Sequence, residues 1–359
     1  MQSVSPSYLH LDWADRLRNW ATFLVLALHV AAPVAQENTN YSSSEWWAGN
    51  FWDSLGRPAV PLFVMLSGYL LLRKDYPLSD FLQRRFVRVV IPSVFWMLVY
   101  SFYNHVADGQ PATWSEALRG LVSGPVHYHL WFVYLILGLY ITYPLLVPWV
   151  RTASEKDYLY FFVVCLLGTW VYKTLVWFFN LEIGIYFELF TNQVGYFVLG
   201  YYLGHKLPKG SPQLTPGIRN WNWSPGALIA VAWVLIVLGT AVVAIGTWWA
   251  SRAYGNVFHG FFYDYLTPGV TISAVGWFLL ARHAWNGPAL RSIESELAAT
   301  SFGIYLIHVL VMDWWSEAGY WQSKCHPMMC IPIVAVLVYS MSFLMVALIR
   351  AFAWGRRIA

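Results

Sequence analysis

Charged residues are scarce in this chain of 359 residues, where Asp, Glu, Lys and Arg together make up only 11%. In an ordinary soluble domain these four residue types make up about 25% of the chain. The net charge of +4 is also small, which argues against a nucleic-acid partner, since such proteins present a concentrated basic face. Hydrophobic residues account for 58% of the chain. We therefore expect membrane lipids, rather than water, to cover much of its surface.

Cysteine is also rare, with three residues, which excludes a disulfide-rich scaffold. No CxxC pair or HExxH segment predicts a zinc site, so we expect no metal. Cys325 and Cys330 fall in one predicted outer loop. An oxidising environment there would permit a disulfide, but two free thiols are an equal alternative because spacing does not establish the geometry. Cys165 lies within a predicted span, where we expect it to serve in packing.

Long apolar runs are what the chain has instead of charge. A helix needs about 20 mostly apolar residues to cross ~30 Å of hydrocarbon. The fold class is therefore predicted to be all-α, a single polytopic membrane domain over residues 1–359 with about ten transmembrane helices. The predicted spans are 17–36, 58–73, 86–106, 129–150, 158–179, 187–205, 225–249, 262–281, 300–316 and 331–353.

Positive charges predict the orientation of these spans, because Lys and Arg accumulate on the cytoplasmic side of a bacterial inner membrane. Both termini are expected to be cytoplasmic in a multi-pass protein of the plasma (inner) membrane. We expect the first span to be retained and not cleaved as a signal peptide, because His29 interrupts its apolar core. Five of the 22 Lys and Arg then fall in outer loops: Arg57, Arg119, Lys173, Arg252 and Lys324.

The first span contains a histidine at membrane depth, where an ionisable side chain costs ~2.5–3.5 kcal/mol and is a functional candidate. His29 follows Arg18 by eleven positions, and at about 100° per residue both lie on nearly the same helix face. Ser67 and Gly68 of the second span would reach the depth of His29 from the opposite direction. The alternative for His29 is a simple hydrogen bond to a neighbouring helix.

Basic residues gather at the cytoplasmic end of the third span. Arg84 and Arg85 precede Arg88 by four and three residues, so the three share one helix face. Together with Arg73 they form a cationic cluster suited to several phosphates, because guanidinium groups bind phosphate oxygens in bidentate fashion. The alternative is that they anchor the topology by touching anionic lipid headgroups.

Aromatic and histidine residues gather near the outer ends of other spans. His127 and His129 precede the fourth span in HYHLWFVY, where stacking on a sugar and interface anchoring would give the same pattern. His308 shares a helix face with Tyr305, and a contact with substrate or a bond between helices would explain it equally. The Trp46-Trp47 pair predicts an interfacial aromatic belt.

Five segments, in their order along the chain, resemble the hallmarks of the acyltransferase 3 family of integral membrane acyltransferases. The resemblance extends from about Asp15 to His308 and beyond, which is nearly the whole chain. The HLWF segment and the absence of a fused extracytoplasmic domain resemble the stand-alone glycan O-acetyltransferases of that family, such as those acting on enterobacterial common antigen. The segments are DRLRNWATFLVLALH, PLFVMLSGYLL, RRFVRVVIP, YHLWFVYLILGLYITYPLL and FGIYLIH.

The resemblance implies transfer of an acyl group, usually acetyl from cytoplasmic acetyl-CoA, to a hydroxyl of a surface polysaccharide or lipid-linked saccharide. Glycan-biosynthesis machinery is an expected partner. The implied catalytic residues are His29, Arg18 and Ser67, with His29 as general base or acyl carrier and Ser67 as an alternative relay. The expected donor-binding residues are Arg73, Arg84, Arg85 and Arg88, with Arg84 or Arg85 in the family's first arginine position.

On the acceptor side we expect substrate contacts from His129, Tyr305 and His308. A different class of function uses the same features. A glycan exporter or lipid-linked sugar flippase would also need an aromatic-lined bundle with outward-facing histidines, but it would need no site for CoA. Loss of function on replacing the cytoplasmic arginines would therefore favour the enzyme.

Overall fold

The computed structural model describes residues 11–74, 76–107, 113–181, 192–206, 224–287, 291–317 and 325–359, and within these ranges it is helical, without strands. The α-helices are α1 Asp12–Gln36, α2 Ser44–Gly56, α3 Ala59–Leu71, α4 Leu78–Arg85, α5 Ile91–Ala107, α6 Trp114–Ser123, α7 Trp131–Thr152, α8 Glu155–Leu166, α9 Tyr172–Phe179, α10 Val194–Tyr201, α11 Pro225–Ala253, α12 Pro268–Ala284, α13 Arg291–Glu317 and α14 Pro327–Ala351.

In the part of the chain that the structure describes, three π-helical segments adjoin these helices. Phe86–Val90 joins α4 to α5, Leu167–Val171 joins α8 to α9, and Tyr202–Lys206 continues α10. The first segment has a cause in the sequence, because Pro92 has no N–H to donate to the carbonyl of Arg88 and so interrupts the regular ladder. Such π-bulges are frequent at functional sites, and this one carries Arg88.

Eight helical stretches of the described chain are long and apolar enough to cross a membrane, which makes the protein an all-α polytopic membrane protein. The predicted span 262–281 corresponds to α12, which has 17 residues. The predicted span 187–205 begins at residues that the structure does not describe. Lys324 also lies outside the described residues. The eight are Asp12–Gln36, Ser44–Leu71, Leu78–Val106, Tyr128–Thr152, Glu155–Phe179, Pro225–Ala253, Ser292–Trp315 and Pro327–Ala351.

The second span begins earlier than predicted, at Ser44 and not at residue 58. Arg57, assigned to an outer loop, is buried between α2 and α3 and ion-paired with Asp53. Trp46, assigned to an interfacial belt, is completely buried, and its indole N–H donates to the carbonyl of Ala35 at 3.0 Å. Both expectations were wrong because polar groups in an apolar sequence are expected to be exposed, whereas the polar groups of Arg57 and Trp46 find an ion-pair or hydrogen-bond partner inside the protein.

Helix α1 lies at the centre of the bundle, packed against α2, α3, α12, α13 and α14. Helices α3 and α10 approach still more closely. A Cβ atom at Gly68 would overlap the carbonyl of Phe197, and one at Gly200 would overlap the carbonyl of Met65. Small residues permit this backbone contact, as is usual between membrane helices. At the start of α14, Cys325 and Cys330 form a disulfide, while Cys165 is a buried free thiol.

Candidate active site

A cavity of about 700 Å³ opens at one end of the bundle, and we call it the basic cavity because of its lining. Its cationic lining residues are Arg18, Lys74, Arg84, Arg85 and Arg88. None of the described residues that line it is acidic. A concave, one-signed surface of this kind raises the local concentration of an anionic ligand.

The basic cavity contains most of the residues predicted for donor binding. Ser67 and Tyr305 also line it. Arg73 does not; it is exposed next to the cavity, and its carbonyl accepts a hydrogen bond from Arg151 at 3.2 Å. Sequence analysis did not identify Lys74 among the lining residues, although its position beside Arg73 in a basic pair was a usable signal.

Aromatic rings hold the guanidinium groups of the basic cavity. The Arg85 guanidinium lies 5.0 Å from the centre of the Tyr140 ring, and that of Arg84 lies 5.6 Å from the Tyr76 ring. These are cation–π distances. Nε of Arg85 is buried and has no hydrogen-bond partner in the part of the chain that the structure describes. A buried donor without a partner is costly, so this N–H is available for a ligand.

Arg18 lies on α1 at the basic cavity, and its guanidinium contacts Asp15 at 3.4 Å, the pairing that the three-residue spacing predicts. His29 lies further along the same helix and does not line the basic cavity. It lines a second, much smaller cavity of about 20 Å³, which we call the histidine chamber. The shared helix face predicted for Arg18 and His29 therefore leads from one cavity to the other.

Three aromatic side chains, those of Phe63, Phe132 and Tyr305, line both cavities, and we call them the aromatic partition. The ring centroids of Phe63 and Phe132 are 6.0 Å apart, and those of Phe132 and Tyr305 are 5.5 Å apart. The partition comes from three separate elements, α3, α7 and α13. Among the described residues, only these rings are common to the linings of the two cavities, so they form the wall between the basic cavity and His29.

The predicted acceptor-side residues lie together around His29. The ring centroids of His29 and His308 are 5.3 Å apart, and those of His129 and His308 are 5.2 Å apart. The Tyr305 hydroxyl donates to the carbonyl of His129. The structure thus brings His29, His129, Tyr305 and His308 into one site, although they come from three distant segments.

Hydrogen bonding defines which nitrogen of His308 carries a proton. Its Nδ1 lies 2.6 Å from the carbonyl oxygen of Tyr305, and a carbonyl oxygen only accepts, so Nδ1 must donate. In a neutral ring Nε2 is then an acceptor, and this buried atom has no partner among the described residues. Nε2 of His129 is also buried without a partner among the described residues, but its Nδ1 contacts Nδ1 of His127, so either nitrogen of His129 can carry the proton. Two buried ring nitrogens near His29 therefore have hydrogen-bonding capacity that no described residue satisfies.

The histidine group continues toward the end of the bundle opposite the basic cavity. His127 and His129 contact through their Nδ1 atoms at 3.1 Å. Burial lowers the pKa of His127 below its ordinary value, an effect that nearby Asp313 partly opposes, so its ring is neutral near pH 7. Helix α7 starts at this end, and its last residues reach the basic end, where Arg151 bonds the carbonyl of Arg73.

A carboxylate and tyrosines complete this opposite end. The Tyr103 hydroxyl donates to the Asp313 carboxylate at 3.2 Å, and Tyr128 is exposed beside His127. Sequence analysis did not single out Tyr128, although it stands between two histidines that were identified. Within the described ranges, no group of three or more His, Cys, Asp or Glu is placed to hold a metal ion.

The comparisons with known proteins identify the family to which this site belongs. A family model described as an acyltransferase domain matches residues 11–356, nearly the whole chain. The chain is a member of the acyltransferase 3 family. No curated protein and no solved structure matches it. Family membership and the apolar helices together show a multi-pass membrane acyltransferase, and the resemblance found in the five sequence segments is confirmed at the level of the family.

Proposed function

We propose that this acyltransferase transfers an acetyl group from cytoplasmic acetyl-CoA to a hydroxyl of a cell-surface polysaccharide or lipid-linked saccharide in the bacterial inner membrane. The observation that carries the proposal is the adjacency of two cavities. A basic cavity without described acidic lining residues meets, through the aromatic partition, a chamber that contains His29. This arrangement would give a phosphate-bearing thioester and a catalytic base two separate sites that adjoin each other.

The donor fits the basic cavity by charge and shape. CoA carries several phosphates at one end of a long thin arm, and Lys74, Arg84 and Arg88, which line the cavity, would bind the phosphate oxygens. The unpartnered Nε of Arg85 adds a donor. The arm would run past Ser67 toward the aromatic partition. Arg73 is exposed beside Lys74 and remains a predicted contact of the phosphates.

In the proposed reaction, His29 accepts the proton of the acceptor hydroxyl while the hydroxyl oxygen attacks the thioester carbonyl. The new C–O bond forms, the C–S bond breaks, and the proton passes from His29 to the sulfur, so that CoA leaves as its thiol. If His29 first carries the acetyl group itself, a C–N bond forms as the C–S bond breaks and the imidazole N–H proton passes to sulfur. The acceptor oxygen then forms the C–O bond as the C–N bond breaks, and the hydroxyl proton returns to the imidazole. Arg18 lines the donor side, which favours a contact with CoA over a direct contact with His29.

The acceptor reaches His29 from the opposite end in this proposal. His308 offers a buried Nε2 acceptor to a sugar hydroxyl, and the buried Nε2 of His129 offers a donor or an acceptor according to its tautomer. Tyr305 contacts both histidines. Its hydroxyl donates to the carbonyl of His129, and its own carbonyl accepts from Nδ1 of His308. The glycan would meet the exposed ring of Tyr128 first. Such a glycan is made elsewhere, so glycan-biosynthesis enzymes are the proposed partners.

The test is the acyl content of surface polysaccharide from cells that make His29→Ala, measured by mass spectrometry. We expect a loss of about 10²- to 10⁴-fold in transfer, the usual contribution of a positioned base. His105→Ala is the matched control, since His105 is on α5 and lines neither cavity. Size-exclusion chromatography in detergent verifies folding. An unchanged acyl content in His29→Ala cells would exclude the proposed reaction and favour an exporter or flippase.

A further inference from the structure

The histidine chamber is much smaller than the basic cavity. Its volume is about 20 Å³, against about 700 Å³ for the basic cavity. A space of about 10–15 Å³, measured in this way, holds one water molecule. The chamber therefore has room for one or two heavy atoms beside His29, whereas the basic cavity has room for much of a cofactor.

The position of the partition determines which part of a donor must enter the chamber. For transfer at His29, the thioester carbonyl has to lie at the partition rings of Phe63 and Phe132, since no other described residue lines both cavities except Tyr305 of the same partition. The CoA side of the thioester then extends into the basic cavity. The atoms on the other side of the carbonyl, the acyl tail, extend into the chamber.

The walls of the chamber are closely packed. On one side Gly56 abuts α1, where an added Cβ would come within 2.7 Å of Leu28 Cβ. On the other side Val60 and Phe63, three residues apart on α3, present one face to the chamber. Protein interiors of this density yield only partly when a side chain or ligand is enlarged.

We infer that the histidine chamber restricts the transferred group to acetyl, and that Val60 and Phe63 are the residues that set this limit. The inference rests on the proposed function and deepens it. A propionyl tail adds one methylene, for which an apolar pocket discriminates by about 10- to 200-fold. A succinyl tail would bring a carboxylate into a chamber whose described lining contains no Lys or Arg, and an unpaired buried charge is strongly disfavoured.

The experiment is a competition between donors in membranes of the cell that naturally makes the protein, because these contain the native acceptor. The native gene is deleted and replaced by each variant. Acetyl-CoA with one radiolabel and propionyl-CoA, butyryl-CoA or succinyl-CoA with a different radiolabel are added at equal concentrations, and both labels in the membrane glycan are counted. We expect the wild type to incorporate acetyl at least tenfold faster than propionyl, and butyryl and succinyl more slowly still.

Val60→Ala and Phe63→Ala enlarge the chamber, so both should raise the ratio of propionyl to acetyl transfer, by tenfold or more. Phe63→Ala should also admit butyryl, because it removes a whole ring. Val64→Ala is the matched control: Val64 is buried one turn further along α3 and lines neither cavity. Its ratio should equal that of the wild type even if its total activity falls.

The possible outcomes separate the size limit from the proposed function. Equal use of acetyl, propionyl and butyryl by the wild type would overturn the size limit while leaving acyl transfer intact. The size limit is also overturned if the ratio stays constant in both enlarged variants, or if it rises as much in Val64→Ala. Absence of glycan labelling from every thioester in the wild type would overturn the proposed function, and the size limit with it.

Discussion

The rings of His29 and Tyr128 are in edge-to-face contact, with their centroids 5.3 Å apart. Tyr128 is 55% exposed, so the residue that touches His29 from one side also faces the membrane end opposite the basic cavity. On its other side His29 is bounded by the aromatic partition. The imidazole thus lies between the aromatic partition, which borders the basic cavity, and the exposed ring of Tyr128.

Tyr128→Ala tests the acceptor side of this arrangement. We expect the KM for the glycan to rise by roughly tenfold, equivalent to about 1.4 kcal/mol of lost contact, while the affinity for acetyl-CoA stays constant. Glycan labelling in membranes gives the first quantity, and calorimetric titration of purified protein with CoA gives the second. Tyr160→Ala is the control, because Tyr160 is exposed on α8 away from both cavities. A weaker CoA affinity in Tyr128→Ala would contradict the assignment.

Arg85→Gln and Arg88→Gln test the donor side. Each change removes one cation from the basic cavity, and a hydrogen bond to a charged group is worth about 1.5–3 kcal/mol. We therefore expect each variant to bind CoA about 10- to 100-fold more weakly and with a reduced dependence on salt. Lys156→Gln removes a charge at the start of α8 that lies in neither cavity. The donor assignment fails if Lys156→Gln weakens CoA binding as much as the arginine changes do.

Gly68→Ala tests the contact between α3 and α10. Its Cβ would overlap the backbone carbonyl of Phe197, which cannot rotate away as a side chain would, so the helices must separate. We expect a fall in thermal stability of several degrees, and loss of activity because Ser67 and the α3 wall of both cavities shift. Gly138→Ala, with nothing within 4 Å of the new atom, should leave stability unchanged or slightly raised. Equal melting temperatures for the two variants would refute the close approach.

Eight of the ten predicted spans correspond to long apolar helical stretches of the described chain, because lipid requires long apolar runs whatever the tertiary fold. The sequence also predicted that Arg18 and His29 share a face, since helix geometry alone relates them. The partition was not predictable in the same way. Phe63, Phe132 and Tyr305 belong to three helices, and the pattern of a single helix does not say which aromatic residues of other helices it will meet.

Polar residues that pair inside the protein are the other reason why predictions from the sequence were wrong. Hydropathy placed Arg57 in a loop, but the structure buries it against Asp53 and the ring of Tyr263, 4.2 Å from its guanidinium carbon. The four-residue spacing of Asp53 and Arg57 was a visible signal of a helix in this region. Membrane-depth charges that are four residues apart and opposite in sign should therefore be considered as buried pairs before they are assigned to loops.

The Asp53–Arg57 pair leads to a prediction about stability. Asp53 is fully buried, and its Oδ1 accepts from Arg57 Nε at 2.6 Å. Gln36 donates to Oδ2 at 3.2 Å, so the carboxylate is bonded on both oxygens. Asp53→Ala would leave the Arg57 charge buried without its counter-ion, and breaking such a pair costs about 3–5 kcal/mol. We expect the thermal transition, followed by size-exclusion chromatography of heated samples, to fall sharply.

A double variant distinguishes the loss of charge pairing from the loss of packing. Asp53→Leu with Arg57→Met removes both charges and keeps apolar volume, and replacements of this kind are often neutral or stabilising. We therefore expect the double variant to regain most of the stability that Asp53→Ala loses. Asp80→Ala, at an exposed carboxylate on α4, should have almost no effect. If the double variant were as unstable as Asp53→Ala, the ion pair itself, and not the unpaired charge, would be what stabilises the α2–α3 junction beside the histidine chamber.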